Sequence, residues 1–193
     1  HEEPLTQLMK RFINSYKDLP AYPYQFQIKF RNELRSKSGL MRGREFWMKD
    51  LYSFSRDQAE HDAFYELISE AYHRTYARLG IGDITYKTFA SGGSFSKYSH
   101  EFQTLSEVGE DIIYVHEGKK IAINQEVYND EVLSDLGVTK EELVERAAVE
   151  VGNIFTLGTR FSDALDLTYA AEDGTVKKVI MGSYGIGPSR LMG

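Results

Sequence analysis

Two hydrophobic periods alternate along this chain. From 3 to 17, Leu5, Leu8, Met9, Phe12, Ile13 and Tyr16 recur at helical spacing and predict an amphipathic helix. Pro20 and Pro23 break it. Tyr24, Phe26, Ile28 and Phe30 then alternate with Gln25, Gln27, Lys29 and Arg31, the pattern of a half-buried strand whose polar face carries Arg31 and Glu33. A polar loop covers roughly 34–41. An apolar-rich stretch over 44–54 returns antiparallel and completes a long hairpin. Residues 57–79 predict the strongest helix, with Phe64, Leu67, Ile68, Ala71, Tyr72 and Leu79 on one face and Gly80 at its end.

Short strands are expected at 83–89, 101–107, 111–116 and 119–124. Thr139 and Glu142 form a capping box that opens a helix over 139–149. Strands near 150–156 and 175–183 follow. Gly182 to Arg190 then reads as a glycine-rich turn leading into a helix. No repeat, low-complexity tract or clear linker interrupts the series. The pattern predicts one α+β domain over 1–193, a mostly antiparallel sheet flanked by helices.

Composition narrows the class. The 193 residues suffice for one domain with a real core, and 41% hydrophobic with 27% charged residues is ordinary for a soluble globular protein. The absence of cysteine excludes a disulfide framework and a cysteine-based zinc site, and makes a reducing cytoplasm the default location. No apolar stretch approaches the roughly 20 residues that span a bilayer, and no signal peptide is visible. The net charge of −6 means that a polyanion must meet a local cluster. The densest is Arg31, Arg35, Lys37, Arg42, Arg44 and Lys49. The chain opens on His1 without an initiator Met and closes on Leu191-Met192-Gly193 as a helix begins, so it reads as a fragment of a longer protein.

Strand alternation puts Arg31 and Glu33 on one face. An arginine is a fixed fork of donors suited to a phosphate, and a glutamate beside it can accept from an adenine amino group or an ammonium. Phe46 on the return strand offers a stacking ring. On spacing alone, an exposed ion-pair ladder fits these residues equally well. Gly185-x-Gly187-x-x-Arg190 has arginine where a dinucleotide loop needs its third glycine, and no Gly-Lys-Ser/Thr follows, so it is neither a Rossmann fingerprint nor a P-loop. The five histidines lack HExxH spacing, and Ser99-His100 lacks an elbow context, which argues against a zinc protease and leaves a hydrolase triad unsupported. Glu150 is a carboxylate inside an apolar stretch and needs either a partner or an outward orientation.

Together these pieces resemble one family. Phe30-Arg31-x-Glu33, a loop and Arg42-x-x-x-Phe46 are similar to motif 2 of class II synthetases (about 30–46), and Gly185-x-Gly187-x-x-Arg190 to motif 3 (about 182–193). Gly39-Leu-Met-Arg-Gly-Arg-Glu-Phe46, Met48-Lys-Asp-Leu-Tyr-Ser-Phe54, Ser99-His-Glu-Phe102, Glu150-Val-Gly-Asn-Ile-Phe155 and Gly182-Ser-Tyr-Gly-Ile-Gly187 resemble bacterial-type prolyl-tRNA synthetases over nearly the whole chain. His1-Glu2-Glu3-Pro4-Leu5-Thr6 resembles the tail of that family's Thr-x-Glu proline-binding loop.

The resemblance implies a class II synthetase fold, with ATP and Mg²⁺ as cofactors and L-proline and the acceptor end of tRNA(Pro) as partners. It implies no membrane, and a homodimer for the full-length protein. It also implies roles. Arg31 bridges the ATP α-phosphate and the proline carboxylate, Glu33 reads the adenine amino edge, Phe46 stacks on the ring, and Arg42 holds the outer phosphates. Arg190 closes over the nucleotide, Glu150 helps to hold magnesium, Glu2 takes the prolyl imino group, and His100 lines the proline pocket. The catalytic residues are Arg31 and Arg190.

The sequence departs from the family pattern in several places. The loop threonine, motif 1 and the anticodon-binding domain are absent from the sequence, which leaves the isolated fragment's activity an open expectation. Residues 93–98 run longer than the usual stretch before Ser-His. Only about thirty residues, Asp111 to Thr139, fill the interval where many bacterial relatives carry an editing domain, so no cis-editing site is expected. Two competing readings are another class II enzyme, such as a threonyl or seryl synthetase, and a non-catalytic synthetase-like paralogue. The missing cysteine argues against the threonyl enzyme's usual zinc site. The retained Arg31 and Arg190 argue against the paralogue.

Overall fold

The chain is described by a computed structural model over residues 2–34, 36–93 and 98–193. The helices are α1 (Glu2–Met9), α2 (Gln58–Arg78), α3 (Asp130–Leu136), α4 (Arg160–Leu165) and α5 (Pro188–Met192). The strands are β1 (Tyr24–Phe30), β2 (Glu45–Ser55), β3 (Thr85–Ser91), β4 (Tyr98–Leu105), β5 (Asp111–His116), β6 (Ile121–Asn124), β7 (Val144–Gly158), β8 (Thr168–Ala170), β9 (Val176–Lys178) and β10 (Ile180–Ile186). Eight strands form one sheet in the order β1-β2-β10-β7-β4-β3-β6-β5, and β8 and β9 pair separately. Every pairing in the large sheet is antiparallel except β3 with β6, as the alternation and turn signals predict.

Two covers leave a gap that becomes the site. On one face lies α2, started by Asp57, whose carboxylate accepts from the Glu60 N–H at 2.9 Å. It packs Tyr65, Tyr72 and Tyr76 against Phe102, Val151, Ile154 and Tyr184. On the other face, the α1 and α4 regions bring Met9, Ile13, Leu19 and Phe161 over Tyr52, Phe54, Leu157 and Met181. The remainder of that second face is an open cleft above β1, β2, β10 and β7.

Several elements differ from expectation. The predicted helix over 3–17 stops at Met9, because Ser15 and Asp18 build a capping box that starts a separate 3₁₀ turn at Tyr16–Asp18. The capping box at Thr139 and Glu142 forms, but caps a single turn, Lys140–Glu142. The predicted helix over 139–149 is instead the start of β7, whose long pairings with β10, β4 and β5 override local helix preference. The buried face of α2 is His61, Tyr65, Ser69, Tyr72 and Tyr76, while Leu67 and Leu79 stay about half exposed. Aromatic rings, not the leucines, fit the sheet there.

The strand predicted at 175–183 divides into β9 and β10. Gly182 and Gly185 lie within β10 rather than in a turn. A Cβ at Gly182 would sit 2.4 Å from Tyr184 Oη and 2.8 Å from Ser53 Oγ, so only glycine lets the strand lie this close to its neighbours. The polarity of β1 is reversed from the expected half-buried strand: Tyr24, Phe26, Ile28 and Phe30 are exposed, whereas Lys29 is buried. As the edge strand, β1 turns its polar side to the cleft and its apolar side outward.

Candidate active site

The β1–β2 hairpin brings Arg31, Glu33, Arg42 and Phe46 to the cleft. From the other side come Glu150 of β7 and Arg190 of α5, with Gly185 and Gly187 between. Together they line a solvent-open space of about 560 Å³. Six residues singled out in the sequence therefore meet in one place.

Their contacts set its electrostatics. The Arg31 guanidinium lies over the Phe46 ring, 5.1 Å from its centre. Arg42 donates from Nη1 to Glu33 Oε2 at 3.3 Å and pairs through Nε with Glu110 Oε2 at 2.7 Å. Lys37 also pairs with Glu110, at 3.1 Å. Arg190 Nε donates to the Met41 carbonyl at 2.9 Å, and its Nη1 donates to the Glu150 carbonyl at 2.8 Å and to Glu150 Oε2 at 3.1 Å. Asn153 Nδ2 donates to Glu150 Oε1 at 2.9 Å. The carboxylate of Glu150 thus has the partners that its strand position demanded. Proline at the first turn of α5 fixes the helix start, which aims Arg190 back across Gly187.

At Gly185 an added Cβ would meet Asn153 Oδ1 at 3.0 Å, so the glycine keeps the floor flat enough for a ring or a phosphate to approach. Among the described residues no three His, Asp or Glu side chains are grouped to cage a metal. Mg²⁺ commonly uses one or two carboxylates and takes its other ligands from phosphates and water. Glu150 suits that role, with Glu101 nearby on β4 lining an adjoining pocket. Burial, with Glu150 next in effect, pushes the Glu101 carboxyl up to about 7.

Two predicted residues lie elsewhere. Glu2 begins α1, away from the arginines, and its charge is felt by Tyr52. Pro4 and Leu5 of α1 share a second pocket with Gln27, Asp50 and Tyr52 beside the cleft. His100 faces α2, where its Nδ1 lies 2.8 Å from Tyr65 Oη. Burial, and secondarily Lys87, holds its imidazole down to about 4. Of the remaining singled-out positions, His1, Arg35 and residues 94–97 of the long stretch lie outside the described residues.

The lowered imidazoles contribute a loss of stability in acid. His61, which is fully buried, is lowered too, chiefly by burial. A histidine with a depressed folded pKa contributes stability that is complete above its unfolded value near 6.5 and is lost as pH falls towards the folded one. Between about pH 6.5 and 4 the imidazoles therefore lower the thermal midpoint, while the raised Glu101 carboxyl works in the opposite sense. His100→Gln should remove up to about 3 kcal/mol of that pH dependence. An unchanged slope in the variant would assign the acid loss to other groups.

Sequence reasoning overlooked two polar clusters. Lys29 pairs with Asp50 beneath the cleft, and Gln27 Nε2 donates to the same Asp50 oxygen at 2.7 Å. Their signal was present in the alternation, since Gln27 and Lys29 share the face of Arg31. Gln103 Nε2 donates to Glu101 Oε2 at 2.9 Å and to Asp111 Oδ2 at 3.0 Å, and Asn124 Nδ2 reaches Glu101 Oε2 at 3.2 Å. This cluster joins β4, β5 and β6, which no local pattern could reveal.

An antiparallel sheet that delivers an arginine hairpin and a glycine strand to one cleft is the architecture of a class II synthetase core. The chain belongs to the tRNA synthetase class II core domain family (G, H, P, S and T), whose model matches residues 1–193. It is 37% identical over 206 residues to a proline--tRNA ligase of Anaplasma marginale, covering all of this chain and 48% of that protein. It is 38% identical over 214 residues to one of Rhodospirillum rubrum, again covering all of this chain and 48% of the relative. A probable mitochondrial proline--tRNA ligase of Schizosaccharomyces pombe is 38% identical over 195 residues, with 100% and 45% covered. The chain thus spans about half the length of the curated relatives it matches. Among solved structures, a prolyl-tRNA synthetase from Cryptosporidium parvum, complexed with L-proline and AMP, shares the fold at a TM-score of 0.71 and 16% identity, covering 99% of this chain and 32% of that one.

Proposed function

We propose that this chain is the catalytic core of a prolyl-tRNA synthetase, which activates L-proline with ATP and passes it to the acceptor end of tRNA(Pro). The convergence of Arg31, Phe46, Glu150 and Arg190 on one cleft carries this reading. In the activation step a carboxylate oxygen of proline attacks the α-phosphorus in line. A new O–P bond forms, the α–β bridging bond breaks, and pyrophosphate leaves with its electrons. No protein base is required, so positioning and charge neutralisation dominate.

Arg31 sits on the hairpin where a fork of donors can bridge the two reacting anions. Phe46 supplies the ring on which adenine rests, so the Arg31 guanidinium moves off that ring as the base enters. Glu33 accepts from the adenine amino group. Arg42 exchanges Glu33 and Glu110 for the outer phosphates. Arg190 covers the nucleotide opposite Phe46, held there by Met41 and Glu150. Magnesium held by Glu150 would neutralise charge on the phosphates. Glu2 and the pocket beside Tyr52 and Asp50 are the amino-acid side of the site. His100 shapes that end of the sheet from the α2 face rather than by direct contact. The full-length protein works as a homodimer in the cytoplasm. No described helix is long and apolar enough to cross a membrane.

The test is amino-acid-dependent ATP–pyrophosphate exchange with the full-length protein. Exchange with proline is expected. Folded protein that exchanges with no amino acid would refute the enzyme reading, and exchange with threonine or serine alone would reassign the substrate. The same assay with alanine should show measurable activation, because a pocket cannot exclude a smaller ligand and each missing methylene costs only ~1–3 kcal/mol of discrimination. We propose that no cis-editing site follows. The Asp111–Thr139 interval is occupied by β5, β6 and α3 of the domain itself. Rapid hydrolysis of Ala-tRNA by the purified protein would overturn that.

A further inference from the structure

We propose that Lys49 is a positioning residue for the nucleotide, acting from the back of the sheet by holding the strand on which adenosine rests. The inference rests on the nucleotide reading of the cleft. Phe46 and Met48 of β2 line the cleft, and Lys49 points the opposite way. Its Nζ donates to Tyr72 Oη at 2.6 Å and to the Tyr184 carbonyl at 2.8 Å, and lies 4.6 Å from the centre of the Tyr72 ring. That carbonyl belongs to the peptide leading into Gly185. The next residues, Gly185-Ile186-Gly187, supply two cleft-lining glycines, whose backbone has little intrinsic preference to keep it flat. Lys49 therefore ties this part of the cleft floor to α2, in addition to its pairing with β2 and β7.

The surroundings make this tie sensitive to pH near neutrality. Tyr72 faces it from α2, with Tyr76 packed on Tyr72, and Tyr184 lies on β10. Burial raises all three phenols, so they stay protonated. Asp50 follows on the same strand and points to the other face, and β1 sets Phe26, which does not titrate, opposite Lys49. Burial lowers the Lys49 ammonium to about 7, and Asp50 offsets part of that fall. A charged donor holds a carbonyl more strongly than a neutral amine. Raising the pH through neutrality should loosen the floor.

Adenosine is the probe, because it has no group that titrates between pH 6 and 9. Calorimetric binding to the wild-type protein should weaken roughly five-fold from pH 6 to 9. Lys49→Met should bind weakly at every pH, and Lys49→Arg should keep the tight value to pH 9. In the free protein, the amide resonances of Gly185 and Ile186 should titrate with the Lys49 midpoint and stop doing so in Lys49→Met. If the Met variant fails to fold, the Arg variant decides alone. A pH dependence that survives in either variant would overturn the proposal and point to Glu101. Adenosine binding indifferent to pH and to Lys49 would overturn only this role. No adenosine binding at any pH would overturn the nucleotide reading itself.

Discussion

Arg31→Ala is expected to lower proline-dependent ATP–pyrophosphate exchange by roughly 10²–10³-fold, the usual scale for removing a donor aimed at developing charge. The fold should survive. The side chain is exposed, and its described contact is the Phe46 ring at 5.1 Å, worth about 0.5–1 kcal/mol at an exposed site. Adenosine binding should change little or tighten, since the guanidinium no longer competes for the ring face. Arg31→Lys should rescue only part of the activity, because an ammonium cannot offer a planar fork to two anions. Exchange within a few-fold of wild type in Arg31→Ala would remove Arg31 from the reaction centre. Lost adenosine binding would instead move its role to the base.

The second large effect concerns stability. Lys29 and Asp50 have side chains only 8% and 7% exposed, and they pair under the cleft. Removing one partner of a buried pair leaves an uncompensated charge, at a cost of about 3–5 kcal/mol. Lys29→Met should fall in that range by urea unfolding, toward the lower end, because Gln27 still donates to Asp50 at 2.7 Å. The double variant Lys29→Met with Asp50→Leu should recover most of the loss, since an apolar pair of similar volume can replace a buried ion pair. Failure to recover would show that losing the Gln27–Asp50 hydrogen bond, rather than the unpaired charge, destabilises the chain. The pair also sits between the arginine cleft and the pocket beside Tyr52, so the double variant should raise the KM for proline even where stability returns.

Most of the sheet was legible because its strands carry their own signal. The hairpin of β1 and β2 reads from alternation and from the polar interval between. That Arg31, Glu33, Arg42, Phe46, Glu150 and Arg190 belong together reads from the constellation, not from any one spacing. What failed was what depends on the other side of a contact. The burial of Lys29 follows from β1 being an edge strand, which periodicity cannot state. The stretch after Glu142 is helix-compatible in isolation and becomes strand because three other strands claim it. His100 sits in a segment that resembles the family, but the face of a strand is fixed by register, and its pairing with Ile154 turns it towards α2. The short helix α3 was missed although its signals were present: Asn129 caps it and Gly137 ends it at φ +60°.

The strand order has a consequence for how such a chain is made. β10 lies between β2 and β7, yet it follows both of them in the sequence. During synthesis the ribosome exposes both neighbours long before the strand that separates them. Until β10 arrives, β2 and β7 each present an unpaired edge, and they cannot pair with each other without excluding the glycine strand. Such edges are templates for association with other chains. The glycine strand of the cleft floor thus joins its neighbours late, and a ligand that rests on it would favour the completed sheet over its sticky precursor.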